Sequence, residues 1–272
     1  MNRLIQGDCL EVMRSLPPRR VDLVFGSPPY EDARTYGIDF KLKGQEWVDW
    51  MVKVYRESLR ISKGLVAFVV QGRTRKYEWS CTPALLIADL HRAGFNVRNP
   101  VLYVRHGIPG SGGPDWLKSR YEWIVCVSQP GRLAWSDNTA CGHPPKCGAG
   151  GPMSNRDETG ERLFNKQTRR KKDGSRGAYK PSRPLPKMAN PGNIIDCGAN
   201  THFGLANENE APFPEKLAEF FVKSFCPPGG TVLDPFSGSG TTAAVAKKNN
   251  RHYIGIDVRQ SQIELAQRRL SD

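Results

Sequence analysis

The chain has 272 residues, enough for one substantial domain or for a domain that carries a smaller insert. Its 38% hydrophobic and 25% charged content is ordinary for a globular protein, and no stretch is apolar over the roughly 18 residues that cross a bilayer. The N-terminus, MNRLIQGDCLEVM, has an acidic residue where a signal peptide needs its apolar run, which excludes secretion and membrane insertion from our expectations. Seven cysteines without an export signal indicate reduced thiols in the cytoplasm.

The formal net charge of +13 favours an anionic partner, because Lys and Arg side chains that neutralise phosphates supply the sequence-independent part of nucleic-acid binding. The excess is concentrated in residues 130–190, which hold 13 Lys and Arg against 5 Asp and Glu. We expect basic side chains of this segment to contact phosphates, with a solvated basic loop as the alternative interpretation. The predicted contacts are Arg169, Arg170, Lys171, Lys172, Arg176, Lys180 and Arg183.

The first half of the chain alternates strand-like and helix-like segments. VDLVFGSPPY, from residue 21, predicts a buried strand that ends in a turn. QEWVDWMVKVYRESLRI, residues 45–61, has the apolar spacing of an amphipathic helix, and GLVAFVVQG predicts a second buried strand. TPALLIADLHRAG predicts a helix capped by Thr82 and stopped by Gly94, and FNVRNPVLYVRH and YEWIVCVSQ follow as strands. This alternation is typical of a doubly wound, mostly parallel α/β sheet.

From residue 106 to 192 the alternation fails. Segments rich in Gly, Pro and basic residues, such as CGHPPKCGAGGP and RRKKDGSRG, predict a loop-rich insert there. Helix and strand segments then resume with EKLAEFFVKSFC, TVLDPF, SGTTAAVAKKN, HYIGIDV and RQSQIELAQRRL. The simplest account is one α/β domain, residues 1–105 and 193–272, interrupted by one insert, residues 106–192.

TVLDPFSGSGTT, residues 231–242, places a carboxylate at the end of a strand and a small-residue loop before a helix. Gly238 and Gly240 let the backbone approach a ligand closely, and the helix N-terminus offers free N–H groups to a carboxylate. Taken alone, such a loop is also compatible with an ordinary strand-to-helix turn. Asp257 ends the next strand about 20 residues beyond the loop, where doubly wound folds bind the ribose of an adenosine ligand. The two features together predict a cofactor site.

The tetrapeptide Ser27-Pro28-Pro29-Tyr30 follows the first buried strand. The Ser27 side chain and the Pro28 carbonyl can both accept hydrogen bonds from an amino group, because prolines stiffen the turn and remove competing donors. Two such acceptors favour a more tetrahedral amino nitrogen that attacks an electrophilic methyl group in line. Tyr30 offers an aromatic face to a base swung out of a duplex. A strand-ending turn with a core tyrosine is the alternative for this tetrapeptide alone.

These motifs resemble those of the amino-directed, S-adenosylmethionine-dependent DNA methyltransferases, which modify N4 of cytosine or N6 of adenine. DPFSGSGTT, GIDV, SPPY and the N-terminal QGDCLEVM carry the resemblance. Their order matches the β class of that family, in which the catalytic motif comes first, the target-recognition region next and the cofactor loop last. The resemblance implies a Rossmann-like catalytic domain, residues 1–105 and 193–272, and a target-recognition insert, residues 106–192, that binds double-stranded DNA.

The resemblance also implies roles for individual residues. The catalytic residues would be Ser27, Pro28, Pro29 and Tyr30. Asp8 and Cys9 would contact the adenine of S-adenosylmethionine, and Asp257 its ribose. The remaining cofactor residues, around the methionine part, would be Phe213, Pro214, Asp234, Pro235, Phe236, Ser237, Gly238, Ser239, Gly240 and Thr241.

The resemblance favours N4 of cytosine as the methylated atom, because adenine-directed relatives more often begin the tetrapeptide with Asp or Asn. N6 of adenine is the alternative. The resemblance implies a bacterial or phage-encoded protein associated with the nucleoid. It leaves open a cognate restriction endonuclease and a homodimer.

Other functions fit the sequence less well. Relatives with an NPPY motif methylate RNA or protein glutamine, but they usually place the cofactor loop before the catalytic motif. A DNA-binding regulator of the same fold would not need both motifs intact. A C5-cytosine enzyme needs a nucleophilic cysteine, typically after proline, and the chain has no Pro-Cys dipeptide. Cys141, His143 and Cys147 lack a clear fourth zinc ligand, so we expect no metal.

Overall fold

The computed structural model describes residues 2–31, 40–105, 115–144, 187–197 and 213–271. The strands in these ranges are β1 (Arg3–Gln6), β2 (Val21–Gly26), β3 (Ser62–Val70), β4 (Thr74–Arg75), β5 (Glu78–Trp79), β6 (Asn96–Val97), β7 (Val101–Val104), β8 (Tyr121–Ser128), β9 (Ile194–Asp196), β10 (Thr231–Asp234) and β11 (His252–Asp257). The helices are α1 (Cys9–Ser15), α2 (Gly44–Ile61), α3 (Thr82–Arg92), α4 (Glu215–Phe225), α5 (Thr241–Lys248) and α6 (Gln260–Ser271). No helix in the described ranges is long and apolar enough to cross a membrane.

Nine of the described strands form one sheet in the order β1-β11-β10-β2-β3-β8-β7-β9, with β6 also paired to β8. The five strands from β1 to β3 in this order are parallel to their neighbours. β8 runs antiparallel to β3 and β7, and β9 pairs parallel with β7. The mostly parallel sheet confirms the predicted fold class.

The two faces of the sheet carry separate hydrophobic cores. One core contains Met13 of α1, Trp47 of α2 and Leu86 of α3, and the other contains Phe221 of α4 and Val245 of α5. β2 therefore leads into a helix on the first face, and its neighbour β10 leads into a helix on the second face. In doubly wound sheets the crevice at such a divergence, beyond the carboxyl ends of the strands, is where ligands bind.

The long periodic segments fold as predicted. The helix expected over residues 45–61 is α2, Gly44–Ile61, because Trp47, Met51 and Val54 recur on one face and are buried. β1, α1, β4, β5 and β9 were not predicted, since they are too short to show a period. The expected cap of α3 was wrong: Cys81 is the N-cap, and the Thr82 hydroxyl donates to Glu31 Oε1 at 3.0 Å.

The chain divides into a compact unit, Met1–Ala140 with Gly192–Asp272, and a second unit, Cys141–Pro191. The insert was expected to begin at residue 106, but β8 lies beyond that point and belongs to the central sheet because it pairs with β3. The second unit is therefore shorter than the predicted insert. Within it, the Ala189 N–H donates to the His143 carbonyl at 2.8 Å.

Candidate active site

A cavity of about 350 Å³ opens where several parallel strands end. Its lining includes Asp8 after β1, Ser27 after β2, Phe236 after β10 and Val258 after β11. β1 and β11 end level with each other, since Gln6 pairs with Asp257, and β10 ends opposite Gly255 of β11. The sheet thus brings together motifs from opposite ends of the chain.

Most predicted site residues line this cavity, namely Asp8, Cys9, Ser27, Pro28, Pro29, Tyr30, Phe213, Pro235, Phe236, Ser237, Gly238, Thr241 and Asp257. The predicted residues that do not line it are Pro214, Asp234, Ser239 and Gly240. The predicted DNA contacts, Arg169, Arg170, Lys171, Lys172, Arg176, Lys180 and Arg183, lie outside the described residues, as does Cys147.

Backbone hydrogen bonds shape the loop between β10 and α5. Ser237 N–H donates to the carbonyl of Ile256 at 2.8 Å, and Gly238 N–H donates to Asp257 Oδ2 at 2.9 Å. Gly240 has φ +77°, and a Cβ there would lie 2.8 Å from the Cβ of Ala266, so only glycine fits. The loop is consequently held close to β11 and α6.

The partly buried guanidinium of Arg269 in α6 braces the same loop. Arg269 of α6 donates to Thr241 Oγ1 at 3.0 Å and lies 3.4 Å from Ser239 Oγ. Its other terminal nitrogen pairs with Glu215 Oε1 at 2.5 Å. Ser239 and Thr241 are both buried. This contact links α6 and the start of α4 to the loop.

Asp234 stabilises the first turn of the loop rather than facing the cavity. Its Oδ1 accepts the Phe236 N–H at 2.9 Å, and a Cβ at Gly26 would lie only 2.2 Å from that oxygen. Burial raises the pKa of Asp234 to about 7, an effect that the hydrogen bond from the Phe236 N–H opposes and the charge of Asp257 increases. Its predicted contact with the methionine part of a cofactor stays a prediction.

Asp8 and Cys9 form the wall after β1. Asp8 Oδ1 caps α1 by accepting the N–H groups of Leu10 at 2.9 Å and Glu11 at 3.1 Å. Burial, with the nearby Asp8, raises the pKa of the Cys9 thiol to about 12. Cys9 is therefore a neutral, weakly polar part of the wall and not a thiolate nucleophile.

The Ser27–Tyr30 turn is fixed by side chains from distant elements. The indole N–H of Trp47 in α2 donates to the Pro29 carbonyl at 2.9 Å. Ser27 Oγ lies 3.4 Å from the Val69 carbonyl and 3.4 Å from the Tyr30 hydroxyl. A hydroxyl that donates in either direction keeps its lone pairs for an incoming donor.

A buried carboxylate that the sequence did not reveal holds Tyr30. The Tyr30 hydroxyl donates to Glu122 Oε2 at 2.9 Å, and Arg105 pairs with the other oxygen of Glu122. Glu122 is only 5% exposed. Burial lowers the pKa of the Arg105 guanidinium, but the charge of Glu122, the hydrogen bond to it and the nearby Tyr103 and Tyr30 together outweigh burial and raise the pKa above its ordinary value. The pair is thus ionic and fixes the orientation of the tyrosine.

Other lining residues were also missed, and they are Gly7, Phe40, Trp50, Tyr103, Arg105, Glu122, Val258 and Arg259. Val258 and Arg259 directly follow the predicted Asp257, so proximity in sequence could have suggested them. Tyr103 lies on β7, Arg105 directly follows β7 and Glu122 lies on β8, and the place of these two strands in the sheet was not predicted.

The cofactor side of the cavity fits the S-adenosylmethionine that the sequence resemblance implies. Ser237 Oγ is buried and has no hydrogen-bond partner within the described residues, so a polar ligand group would satisfy it. The N-cap of α5 is Gly240, which has no side chain to bond the first N–H groups of the helix, so the N-cap leaves these groups for a carboxylate. The Asp257 carboxylate lines the wall and keeps lone pairs for hydroxyl donors.

Known proteins share this chain's sequence and fold. Residues 21–268 match the family described as DNA methylase. The chain is 30% identical over 261 residues to the orphan methyltransferase M.BamHII of Bacillus amyloliquefaciens. The matched region covers 93% of this chain and 89% of that protein. Its fold is similar to that of the PvuII DNA methyltransferase (cytosine-N4-specific), with a TM-score of 0.72 and 20% sequence identity, and the match covers 100% of this chain and 86% of that one. The fold is also similar to that of TTHA0409 of Thermus thermophilus in complex with S-adenosyl-L-methionine, with a TM-score of 0.62 and 24% sequence identity. That match covers 100% of this chain and 93% of the other.

Proposed function

Because the chain belongs to the DNA methylase family, it is an S-adenosylmethionine-dependent DNA amino-methyltransferase, and we propose that it methylates N4 of a cytosine swung out of the duplex. One observation supports this most strongly: the Ser27–Tyr30 turn and the Ser237–Gly238 part of the loop line the same cavity. The proposed site for the amino group and the proposed site for the methyl donor therefore border one cavity.

S-adenosylmethionine supplies a methyl group on a positively charged sulfur, which makes that carbon electrophilic. The chain's own residues position its two polar ends. The α5 N-terminus and Ser237 suit the amino-acid end, and Asp257 suits the ribose. Since Asp257 also accepts the Gly238 N–H, ribose binding and the shape of the loop depend on one carboxylate.

Ser27 and Pro28 act on the amino group. An exocyclic amino nitrogen is a weak nucleophile because its lone pair is delocalised into the ring. Hydrogen bonds from its two N–H groups to Ser27 Oγ and the Pro28 carbonyl localise that lone pair and aim it across the cavity. Among the described residues none donates to the Pro28 carbonyl, whereas Trp47 occupies the Pro29 carbonyl. The turn thus keeps one of its two proline carbonyls for the substrate.

Tyr30 supports the base itself. Its ring lines the cavity, and its hydroxyl is held by Glu122. A fixed ring loses little entropy when a base stacks on it, and such stacking contributes about 1 to 3 kcal/mol per base. Glu122 therefore acts as a positioning residue for Tyr30.

Two features support cytosine over adenine. Ser27 stands where adenine-directed relatives more often have Asp or Asn. Arg105 lines the cavity beside Glu122, and a guanidinium only donates hydrogen bonds. Cytosine presents two acceptors, N3 and O2, on the same side of its amino group, whereas the acceptors of adenine, N1 and N7, lie on opposite sides of its amino group. A cationic donor at this wall suits the edge with two acceptors.

The test uses the pure protein, tritium-labelled S-adenosylmethionine and long DNA amplified in vitro, which carries no prior methylation. After digestion to nucleosides, mass spectrometry should find N4-methylcytosine. N6-methyladenine in its place would overturn the base and keep the enzyme class. Label in RNA or protein, with none in DNA, would contradict a DNA substrate.

The matched control is Ser27→Ala, assayed beside wild type. It should bind S-adenosylmethionine with unchanged affinity, because the Ser27 hydroxyl bonds to Tyr30 and Val69 and not to the loop, yet lose most of its methylation rate. Equal methylation by this variant and wild type would show that the turn does not act on the amino group.

A further inference from the structure

A two-stranded hairpin stands beside the catalytic turn. β4 and β5 pair in register, Thr74 with Trp79 and Arg75 with Glu78, and Lys76 and Tyr77 form the tip. The hairpin follows β3, which is the parallel neighbour of β2. Because both strands end at the same edge of the sheet, the hairpin and the Ser27–Tyr30 turn leave the sheet side by side.

Glu31 fixes the base of this hairpin to the catalytic turn. It directly follows Tyr30, is 4% exposed, and accepts through Oε1 from the Arg73 N–H at 3.3 Å and the Thr82 hydroxyl at 3.0 Å. The Ser80 N–H donates to the Arg73 carbonyl at 2.9 Å and closes the hairpin. The hairpin is therefore attached through Arg73 and Thr82 to Glu31, the residue that follows Tyr30.

The backbone at the tip is unfavourable for the residues it holds. Lys76 has φ +48° and Tyr77 has φ +68°, both in the left-handed region. Two-residue hairpin turns of this kind favour Asn-Gly, and a bulky side chain there is strained. Strain of this sort is retained where the side chain has a function, so the tip points to a role for Tyr77 itself.

The exposed surface of the tip suits a nucleic acid. Tyr77 is 82% exposed, and Arg73, Arg75 and Lys76 outnumber the single acidic residue, Glu78. The positive charge complements phosphates, and an aromatic ring stacks on any base. An enzyme that swings a base out of a duplex leaves a gap in the stack and an unpaired partner base next to its pocket.

From these observations we infer that the Lys76–Tyr77 tip contacts the duplex beside the target base, with Tyr77 stacked on the bases that the departing nucleotide leaves exposed. This rests on the proposed function, since it requires a target base that leaves the duplex. Lys76 then pairs with a neighbouring phosphate. Tyr30 then stacks on the extruded base, and Tyr77 stacks on the bases that remain in the duplex.

The test replaces the tip by the sequence that its backbone favours, Lys76→Asn with Tyr77→Gly. Removing the strain should raise the melting temperature, while kcat/KM on duplex DNA should fall by about tenfold, the size expected when one aromatic–base stack is lost. Affinity for S-adenosylmethionine should not change. Opposite changes in stability and activity separate a DNA contact from a folding defect. Tyr77→Phe, which keeps the ring, should retain wild-type activity.

A second substrate identifies the step. Sequencing of methylated DNA first maps the target site, and a duplex is then made with a mismatch at the target base. Extrusion of a mismatched base is already easier, so the kcat/KM of the double variant on this duplex should fall by about threefold or less. Unchanged kcat/KM on the matched duplex, or equal losses on both duplexes, would overturn the inference. Ile194→Ala, which removes another exposed apolar side chain on β9, should leave both rates unchanged. Failure of wild type to methylate DNA would instead contradict the proposed function.

Discussion

The two halves of the cavity are built in different ways. The cofactor half uses residues mostly from one end of the chain, since the loop from Asp234 to Thr241 bonds to its own backbone, to Asp257 and to Arg269. The base half is joined across the chain, because Tyr30 depends on Glu122 and Pro29 depends on Trp47. The loop should therefore respond to changes in itself and in the neighbouring β11 and α6, whereas the base half can be altered from several distant elements.

The largest expected effect tests the cofactor half. Gly240→Ala adds a Cβ 2.8 Å from that of Ala266 to a residue with φ +77°. We expect the free energy of unfolding to fall by about 3 to 5 kcal/mol, as left-handed strain and overpacking combine, and S-adenosylmethionine binding to weaken with it. Urea denaturation and calorimetric titration measure the two quantities.

Gly229→Ala is the matched control for that change. Gly229 has φ +72°, but a Cβ there would have nothing within 4 Å. It should show only the backbone cost of about 1 to 2 kcal/mol and normal cofactor affinity. Equal losses in the two variants would mean that contact with α6 does not shape the loop.

The next effect is a pH dependence in the same half. Since the pKa of Asp234 is raised to about 7 in the folded chain, the native state holds a proton that the unfolded chain releases near pH 4. Asp234 therefore lowers the stability of wild type as pH rises from about 4 to about 7. Asp234→Asn removes this titration, so its stability relative to wild type should rise across that range by about 2 to 4 kcal/mol. A relative stability that is constant with pH would mean that the carboxyl titrates normally.

In the base half, Glu122→Gln should separate catalysis from cofactor binding. An amide loosens Tyr30 and leaves Arg105 without its anionic partner, so the single-turnover methylation rate should fall by about ten- to thirtyfold. The dissociation constant of S-adenosylmethionine should stay within about twofold, because the described partners of Glu122 are Tyr30 and Arg105 and not residues of the loop. Glu57→Gln, which removes the partner of Arg60 at 2.8 Å on α2, should change neither quantity. A parallel loss of cofactor affinity would mean that the halves are coupled.

The smallest effect concerns one hydrogen bond. Trp47→Phe keeps an aromatic ring in the core and removes the donor to Pro29. We expect a cost of about 1 kcal/mol, divided between stability and methylation rate. Trp123→Phe on β8 removes an indole from the strand beside β3 and is the comparison. A larger fall in rate for Trp123 would argue against a role for the Pro29 contact.

The sequence was informative where a function is encoded locally. The Asp234–Thr241 loop, Asp257 and Ser27–Tyr30 could be predicted, because strand patterns and turn residues mark them. Glu122 was seen only as part of a strand, since its role depends on β8 pairing with β3 and on a bond to Tyr30 across 92 positions. The role of Asp234 as a buried brace could not be inferred either, because it depends on contact with Gly26 from another strand.

The position of β2 beside β10 has a consequence for synthesis of the chain. The Thr231 N–H donates to Asp22 Oδ2 at 2.8 Å, across 209 positions of sequence. On the ribosome the Ser27–Tyr30 turn emerges long before β10 and β11, which complete the crevice. Contacts between such distant segments form late in folding because a long loop must close first. A nascent chain that lacks β10 and β11 therefore presents the Ser27–Tyr30 turn without the loop opposite it in the cavity, so the crevice forms only after both strands have emerged.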